Sequence, residues 1–176
     1  MELGEKFKAG GEEALEEIID IYGEGLLRYA TAILCDYQEA EDIVQDSFIA
    51  AYENRSKFDG KNLSAWLYKI VYNQSLNQLK KRKILYFSEI HKQGHNFDDR
   101  DEALSDEMLR ALKILKPKER ALLYSRIMEE QSYEELSQLM GISQQALRKR
   151  YQRAKDKLAK QLNLEYEGRE LGYEKS

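Results

Sequence analysis

Between Gln144 and Leu162 the chain carries seven lysines or arginines and one acid, and its polar side chains are spaced to share one helix face. Leu147, Tyr151, Ala154 and Leu158 recur at steps of 4, 3 and 4, which at about 100° per residue lines them up as one apolar stripe. Gln145, Lys149 and Gln152 then point away from it, with Arg148 and Arg153 flanking them. Long cationic and amide side chains on the outward side of a helix can hydrogen-bond to base edges and neutralise phosphates in a major groove. An ordinary solvated basic face is the plainer reading. What precedes the helix favours DNA. Ser132 with Glu135 forms a capping box, Tyr133, Leu136, Leu139 and Met140 mark the buried side of a first helix, Gly141 ends it, and Ser143 caps the second, with Ile142 and Leu147 as a staple. This is a helix-turn-helix with a three-residue turn.

A second basic stretch, residues 55–83, holds 8 basic side chains against 1 acidic. After the turn Lys57-Phe58-Asp59-Gly60-Lys61-Asn62, either Asn62 or Ser64 can cap a helix. Leu63, Leu67, Ile70 and Val71 account for its core side. Trp66, Tyr68, Lys69, Tyr72 and Asn73 remain, followed by Lys80-Lys81-Arg82-Lys83. Aromatics interleaved with lysines, next to an asparagine able to read a base edge, suit single-stranded DNA, where stacking is worth about 1–3 kcal/mol per base. For Trp66, core and stacking platform are equally open readings, and a cationic helix end also has a structural reason in the helix dipole.

The elements that must position these groups are all helical. Leu15, Ile18, Ile19 and Tyr22 mark a first helix ended at Gly23 and Gly25, and Tyr29, Ala30 and Ile33 a second. A third, over Glu39–Asn54, turns Ala40, Ile43, Val44, Ser47 and Ala51 inward and displays Glu41, Asp42, Gln45 and Asp46. No partner base or metal ligand accompanies those carboxylates, so a docking face is a better functional reading than catalysis. Residues 84–105, with DDRDE and little periodicity, read as a flexible linker. Helical patterning resumes near Ser105 and breaks at Pro117, a good first residue for the next helix. The expected fold is all-α: two small helical domains, 1–83 and 106–164, the second containing the helix-turn-helix, and a disordered tail over 165–176.

The net charge of −4 hides a strong asymmetry. Residues 1–54 hold 3 basic and 14 acidic side chains, a net of −11, whereas residues 55–83 carry +7 and residues 144–162 carry +6. Two polyanion contacts and one surface for a basic protein partner follow. One cysteine, Cys35, excludes an internal disulfide and a cysteine-rich zinc site, and His91 and His95 are too few for a metal cluster alone. No metal or cofactor is expected. An N-terminus too polar for a signal peptide, and no apolar run near 20 residues, point to the cytoplasm.

With EAEDIVQDSFIAAYE, FDGKNLSAWLYKIVYNQSLNQLKKRK, LKPKERALLYSRIMEEQSYEELSQLMGIS and QQALRKRYQRAKDKL in that order, the chain resembles bacterial RNA polymerase sigma factors of the two-domain extracytoplasmic-function type. The resemblance implies a non-enzymatic promoter-specificity subunit. It implies that Asp42, Gln45 and Asp46 meet the clamp helices of the largest polymerase subunit. Lys57, Phe58, Asn62, Trp66, Tyr68, Tyr72 and Asn73, with Lys69 beside them, would recognise and open the minus-ten element. The second domain would sit on the flap of the second-largest subunit while its recognition helix reads the minus-thirty-five element, with Gln145, Arg148, Lys149, Gln152 and Arg153 as contacts. An anti-sigma partner is implied as well. Asn77, Ala146-Leu147 and Tyr151 depart from the usual pattern and leave the promoter sequence open. A stand-alone helix-turn-helix regulator is the competing reading; a nuclease is weaker, for want of a phosphate loop or paired metal carboxylates.

Overall fold

The structure is a computed structural model that describes residues 3–88 and 104–173, with side chains described to residue 84 in the first stretch and to 163 in the second. The described residues form eight α-helices and one 3-10 turn, with no strand among them, in agreement with the all-α expectation. The chain divides into two compact units, Met1–Leu104 and Ser105–Ser176. Most of the segment expected to be a linker, including His91 and His95, lies outside the described residues.

The first unit contains α1 (Leu3–Lys8), α2 (Glu12–Leu34), α3 (Tyr37–Glu53), a 3-10 turn (Arg55–Lys57) and α4 (Leu63–Ser88). The break expected at Gly23 and Gly25 does not occur, and one helix of 23 residues runs through both glycines. A glycine in a helix interior costs about 1 kcal/mol relative to alanine. Burial of Ile18 before the glycines and of Leu26, Tyr29 and Ile33 after them offsets that, at roughly 1.5–3 kcal/mol for each large side chain. Helix α2 stops at Cys35, whose left-handed backbone (φ 52°, ψ 37°) returns its N–H to the Thr31 carbonyl. The Asp36 carboxylate then accepts from the Glu39 N–H at 2.9 Å and starts α3.

All five residues expected on the inner side of α3 are buried, and Phe48 joins them. Asn62, not Ser64, caps α4 by accepting from the Ala65 N–H at 2.9 Å. Helices α2, α3 and α4 pack on one another, and the Tyr29 and Tyr68 rings meet with centroids 5.0 Å apart. Arg82 ties the far part of α4 to the start of α3, donating to Glu39 at 2.6 Å and pairing with Asp36 at 3.3 Å. Helix α4 continues to Ser88, past the boundary expected at Lys83; Ile84-Leu85-Tyr86-Phe87 contains no breaker, and propagating a helix costs far less than nucleating one.

The second unit contains α5 (Asp106–Leu112), α6 (Pro117–Ile127), α7 (Tyr133–Met140) and α8 (Gln144–Tyr173). Ser105 caps α5, and Pro117 opens α6, with Glu119 accepting from the Lys116 N–H at 2.9 Å. The capping box of α7 is reciprocal: Ser132 Oγ accepts from the Glu135 N–H at 3.2 Å and Glu135 Oε2 from the Ser132 N–H at 2.7 Å. Gly141 turns the chain at φ 65°, ψ 34°, and Ser143 Oγ accepts from the Ala146 N–H at 3.3 Å. Leu122, Leu136, Leu147 and Ala154 are fully buried, and Lys157 reaches Glu119 at 3.2 Å to brace α8 on α6. Where the sequence predicts a disordered tail from residue 165, the backbone is helical through Tyr173. That stretch holds three glutamates and no proline, and continuing an existing helix, even through Gly168 and Gly172, costs far less than starting one.

Candidate functional site

Gln145, Arg148, Lys149, Gln152 and Arg153 are all exposed on α8, across an arc of roughly 140° at 100° per residue. The buried Leu147 and Ala154 lie on the opposite side, so the packing of α8 dictates which side chains reach solvent. Two of the five are already held. The Arg148 guanidinium lies 4.8 Å from the centroid of the Tyr133 ring, and the Gln152 amide donates to Asp156 at 2.8 Å, leaving its carbonyl free to accept. Tyr133 also takes Arg126 at 4.6 Å and meets Tyr151 edge-on at 6.3 Å. This half-buried ring is a shelf for Arg148, a role beyond the core position that the helical spacing predicts for Tyr133.

The turn itself is electrostatically set. Hydrogen bonds from the Ser132 backbone N–H and hydroxyl hold the Glu135 carboxyl below its ordinary value of 4.5, against a small opposing effect of burial. Burial pushes Glu119 up, but the Lys116 N–H and Lys157 outweigh it and the carboxyl ends below its usual range.

The second basic stretch is rearranged relative to expectation. Lys57, Asn62, Lys69 and Asn73 are exposed and Trp66 is half-buried. Phe58, Tyr68 and Tyr72 are only 2%, 3% and 4% exposed, so they offer no open ring face for a base to stack on. The reason is geometric: Tyr68 and Tyr72, four apart, share the side of α4 turned to the core, whereas Lys69 and Asn73 share the adjacent, outward side. Trp66 packs on Phe58 with centroids 5.3 Å apart. Asn62 Oδ1 is taken by the cap, leaving its amide group to donate, and Lys57 donates to Asn54 at 2.6 Å. Of the four cations closing the basic stretch, Arg82 is paired with carboxylates while Lys80, Lys81 and Lys83 are exposed.

Asp42, Gln45 and Asp46 are exposed together on α3. Beside them a groove of 560 Å³ runs between α2 and α3, lined by Leu15, Ile19, Leu27, Val44, Phe48 and Ile49, with Gly23, Glu41, Gln45, Tyr52 and Glu53 completing it. Ile19 and Ile49 are 41% and 52% exposed. The carboxylate face is legible in the sequence and this apolar channel is not; Ile49, off the buried stripe of α3, is the signal that points to it. Among the described residues no cluster could hold a metal ion, and no helix is long and apolar enough to cross a membrane.

Two family models match the chain: Sigma-70 region 2 over residues 18–84 and Sigma-70, region 4 over residues 105–158. The chain is similar to the ECF RNA polymerase sigma factor SigW of Bacillus subtilis, 29% identical over 88% of this chain and 92% of that protein. It is also similar to the RNA polymerase sigma-H factor of Pseudomonas aeruginosa, 28% identical over 92% of each. Among solved structures, the sigma factor RpoE in complex with the anti-sigma factor NepR from Bartonella quintana shares the fold, with a TM-score of 0.74, 23% identity and coverage of 87% of this chain and 98% of that one.

Proposed function

The chain belongs to the sigma-70 family, as a sigma factor of the extracytoplasmic-function type, and from that membership we propose how its surfaces divide the work of starting transcription. It binds core RNA polymerase and directs promoter-specific initiation. The stand-alone regulator is not favoured, since it leaves the region 2 match over residues 18–84 without a purpose.

In the proposed division, residues 1–83 dock on the clamp helices of the largest subunit through Asp42, Gln45 and Asp46. Lys57, Asn62, Lys69 and Asn73, with the open part of Trp66, meet the non-template strand of the minus-ten element, while Phe58, Tyr68 and Tyr72 hold the frame beneath them. Residues 106–164 sit on the flap of the second-largest subunit and present Gln145, Arg148, Lys149, Gln152 and Arg153 to the minus-thirty-five element. The observation that carries this reading is the exposure of an acidic face on one unit and a basic, amide-rich face on the other. The protein works without a catalytic residue of its own, in the cytoplasm where polymerase is found. An anti-sigma protein is the further partner, supported by the apolar groove beside the docking face, a surface that a free subunit leaves open to water.

The test reverses charge at Asp42 and Asp46 together. Association with core polymerase should weaken roughly tenfold or more, run-off transcription should fall in parallel, and helicity by circular dichroism should not change. Unaltered association in a competition assay at moderate salt removes the docking role.

A further inference from the structure

Residues 3–10 supply none of the proposed contacts, yet they touch the connection between α3 and α4 and the helix ends on either side of it. Phe7 is 0% exposed and sits edge-on to Tyr52 and Trp66, with centroids at 6.4 and 6.2 Å. The Gly10 carbonyl accepts from the Tyr52 hydroxyl at 3.3 Å, and a Cβ on Gly10 would stand 3.1 Å from the Arg55 guanidinium. Arg55 in turn lies over the Tyr52 ring at 4.4 Å and donates to the Tyr52 carbonyl at 2.8 Å. Gly4 packs so closely on Phe58 that a Cβ there would come to 2.9 Å from the ring. These contacts bracket Lys57 and Asn62 from both sides.

We propose that α1 is a strap that positions the α3–α4 connection for the displaced DNA strand, with Phe7 and Gly4 as its positioning residues. The proposal rests on the reading of Lys57 and Asn62 as strand contacts. The 3-10 turn Arg55–Lys57 buries none of its own residues, and Phe58 is the anchor of the segment that follows. A segment of this kind loses affinity if it must be ordered only when its ligand arrives. Seating Phe7 against Tyr52 and Trp66 and Gly4 against Phe58 orders it beforehand. Trp66 is the only tryptophan of the chain, so its emission reports this packing directly.

The experiment uses the full chain with core polymerase and a single-stranded oligonucleotide carrying the minus-ten element, and compares Phe7→Ala, Phe7→Leu and Gly4→Ala. Gly4→Ala drives a methyl group into Phe58 while leaving the Phe7 ring in place, so it moves the strap off the connection without removing its aromatic anchor. Expected are a shifted Trp66 emission and about tenfold weaker oligonucleotide binding, equivalent to losing hold of one base, for both Phe7→Ala and Gly4→Ala. Phe7→Leu should recover most of the affinity, with polymerase association unchanged throughout. A shifted Trp66 emission in Gly4→Ala at wild-type oligonucleotide affinity overturns the strap. Lys57→Ala combined with Asn62→Ser, which keeps a capping oxygen, separates the two ideas. If that pair leaves binding intact, the strand-contact reading fails and the strap with it; if the pair weakens binding while the strap variants do not, only the strap fails.

Discussion

Lys149 and Gln152 lie near the middle of the exposed arc of α8, and Arg148 and Arg153 at its edges. A bidentate base contact is worth about 1–3 kcal/mol of discrimination, whereas a phosphate contact weakens every sequence alike and lowers the salt slope by about one. Alanine at Lys149 or Gln152 should therefore change which upstream element is preferred, while alanine at Arg148 or Arg153 should cost affinity across all sequences. Holoenzyme transcription from a library randomised in that element, at two salt concentrations, separates the outcomes. If all four variants keep one preference, this face does not read DNA. Glu135 gives a pH prediction. Its carboxyl is held below 4.5 in the folded protein, so its contribution is present above the ordinary carboxylate pKa and is lost as pH falls through the lowered one. Glu135→Gln should destabilise the fold near neutral pH by about 0.5 kcal/mol, small because the group is exposed and screened. Thermal unfolding should show that difference shrink as pH falls below 4.5 and vanish only beneath the lowered pKa.

Helix α2 offers a test of a different kind. A Cβ built on Gly23 meets only the Ile19 side chain, at an ordinary 3.9 Å, in a helix that runs straight through it. Gly23→Ala should raise the unfolding free energy by about 0.5–1 kcal/mol, measured by denaturant titration; a destabilised variant would mean that α2 needs its glycine for flexibility. The same helix shows why some elements were legible in the sequence and others not. Caps and turns are local chemistry, so Ser132, Glu135, Gly141, Ser143 and Pro117 all stand in the roles their types suggest. Periodicity identified the inner face of α3 and, in α8, the buried Leu147 and Ala154, with Tyr151 and Leu158 only half-buried. Continuity through Gly23 and Gly25 is decided by partners distant in sequence, which no local signal carries. The burial of Tyr68 and Tyr72 was hidden for a related reason: alternation along the chain looks like alternation in space only in a strand, not at 100° per residue, and Phe58 lies in the connection before α4, where no period applies.

At the scale of the molecule, the charge imbalance opposes the chain's own affinity for DNA. A segment of net −11 accompanies both basic ones, and only a partner that engages the acids relieves the repulsion. The free chain should bind promoter duplex weakly. Neutralising the exposed Glu12, Glu13, Glu16 and Glu17 by glutamine should strengthen non-specific binding about threefold to tenfold at low salt, with the gain fading as salt rises. Tight, sequence-specific duplex binding by the unmodified free chain would restore the stand-alone regulator. The arrangement of α8 has a longer consequence. Its buried stripe carries the packing, whereas none of the five residues proposed to face DNA is buried. Exposed substitutions away from caps and core change stability by about 0.5 kcal/mol or less. Gene copies descended from such a chain are thus free to diverge in the genes they control one substitution at a time, with no companion mutation to rescue folding. Arg148, tethered to the Tyr133 ring, is the position where that drift should be slowest.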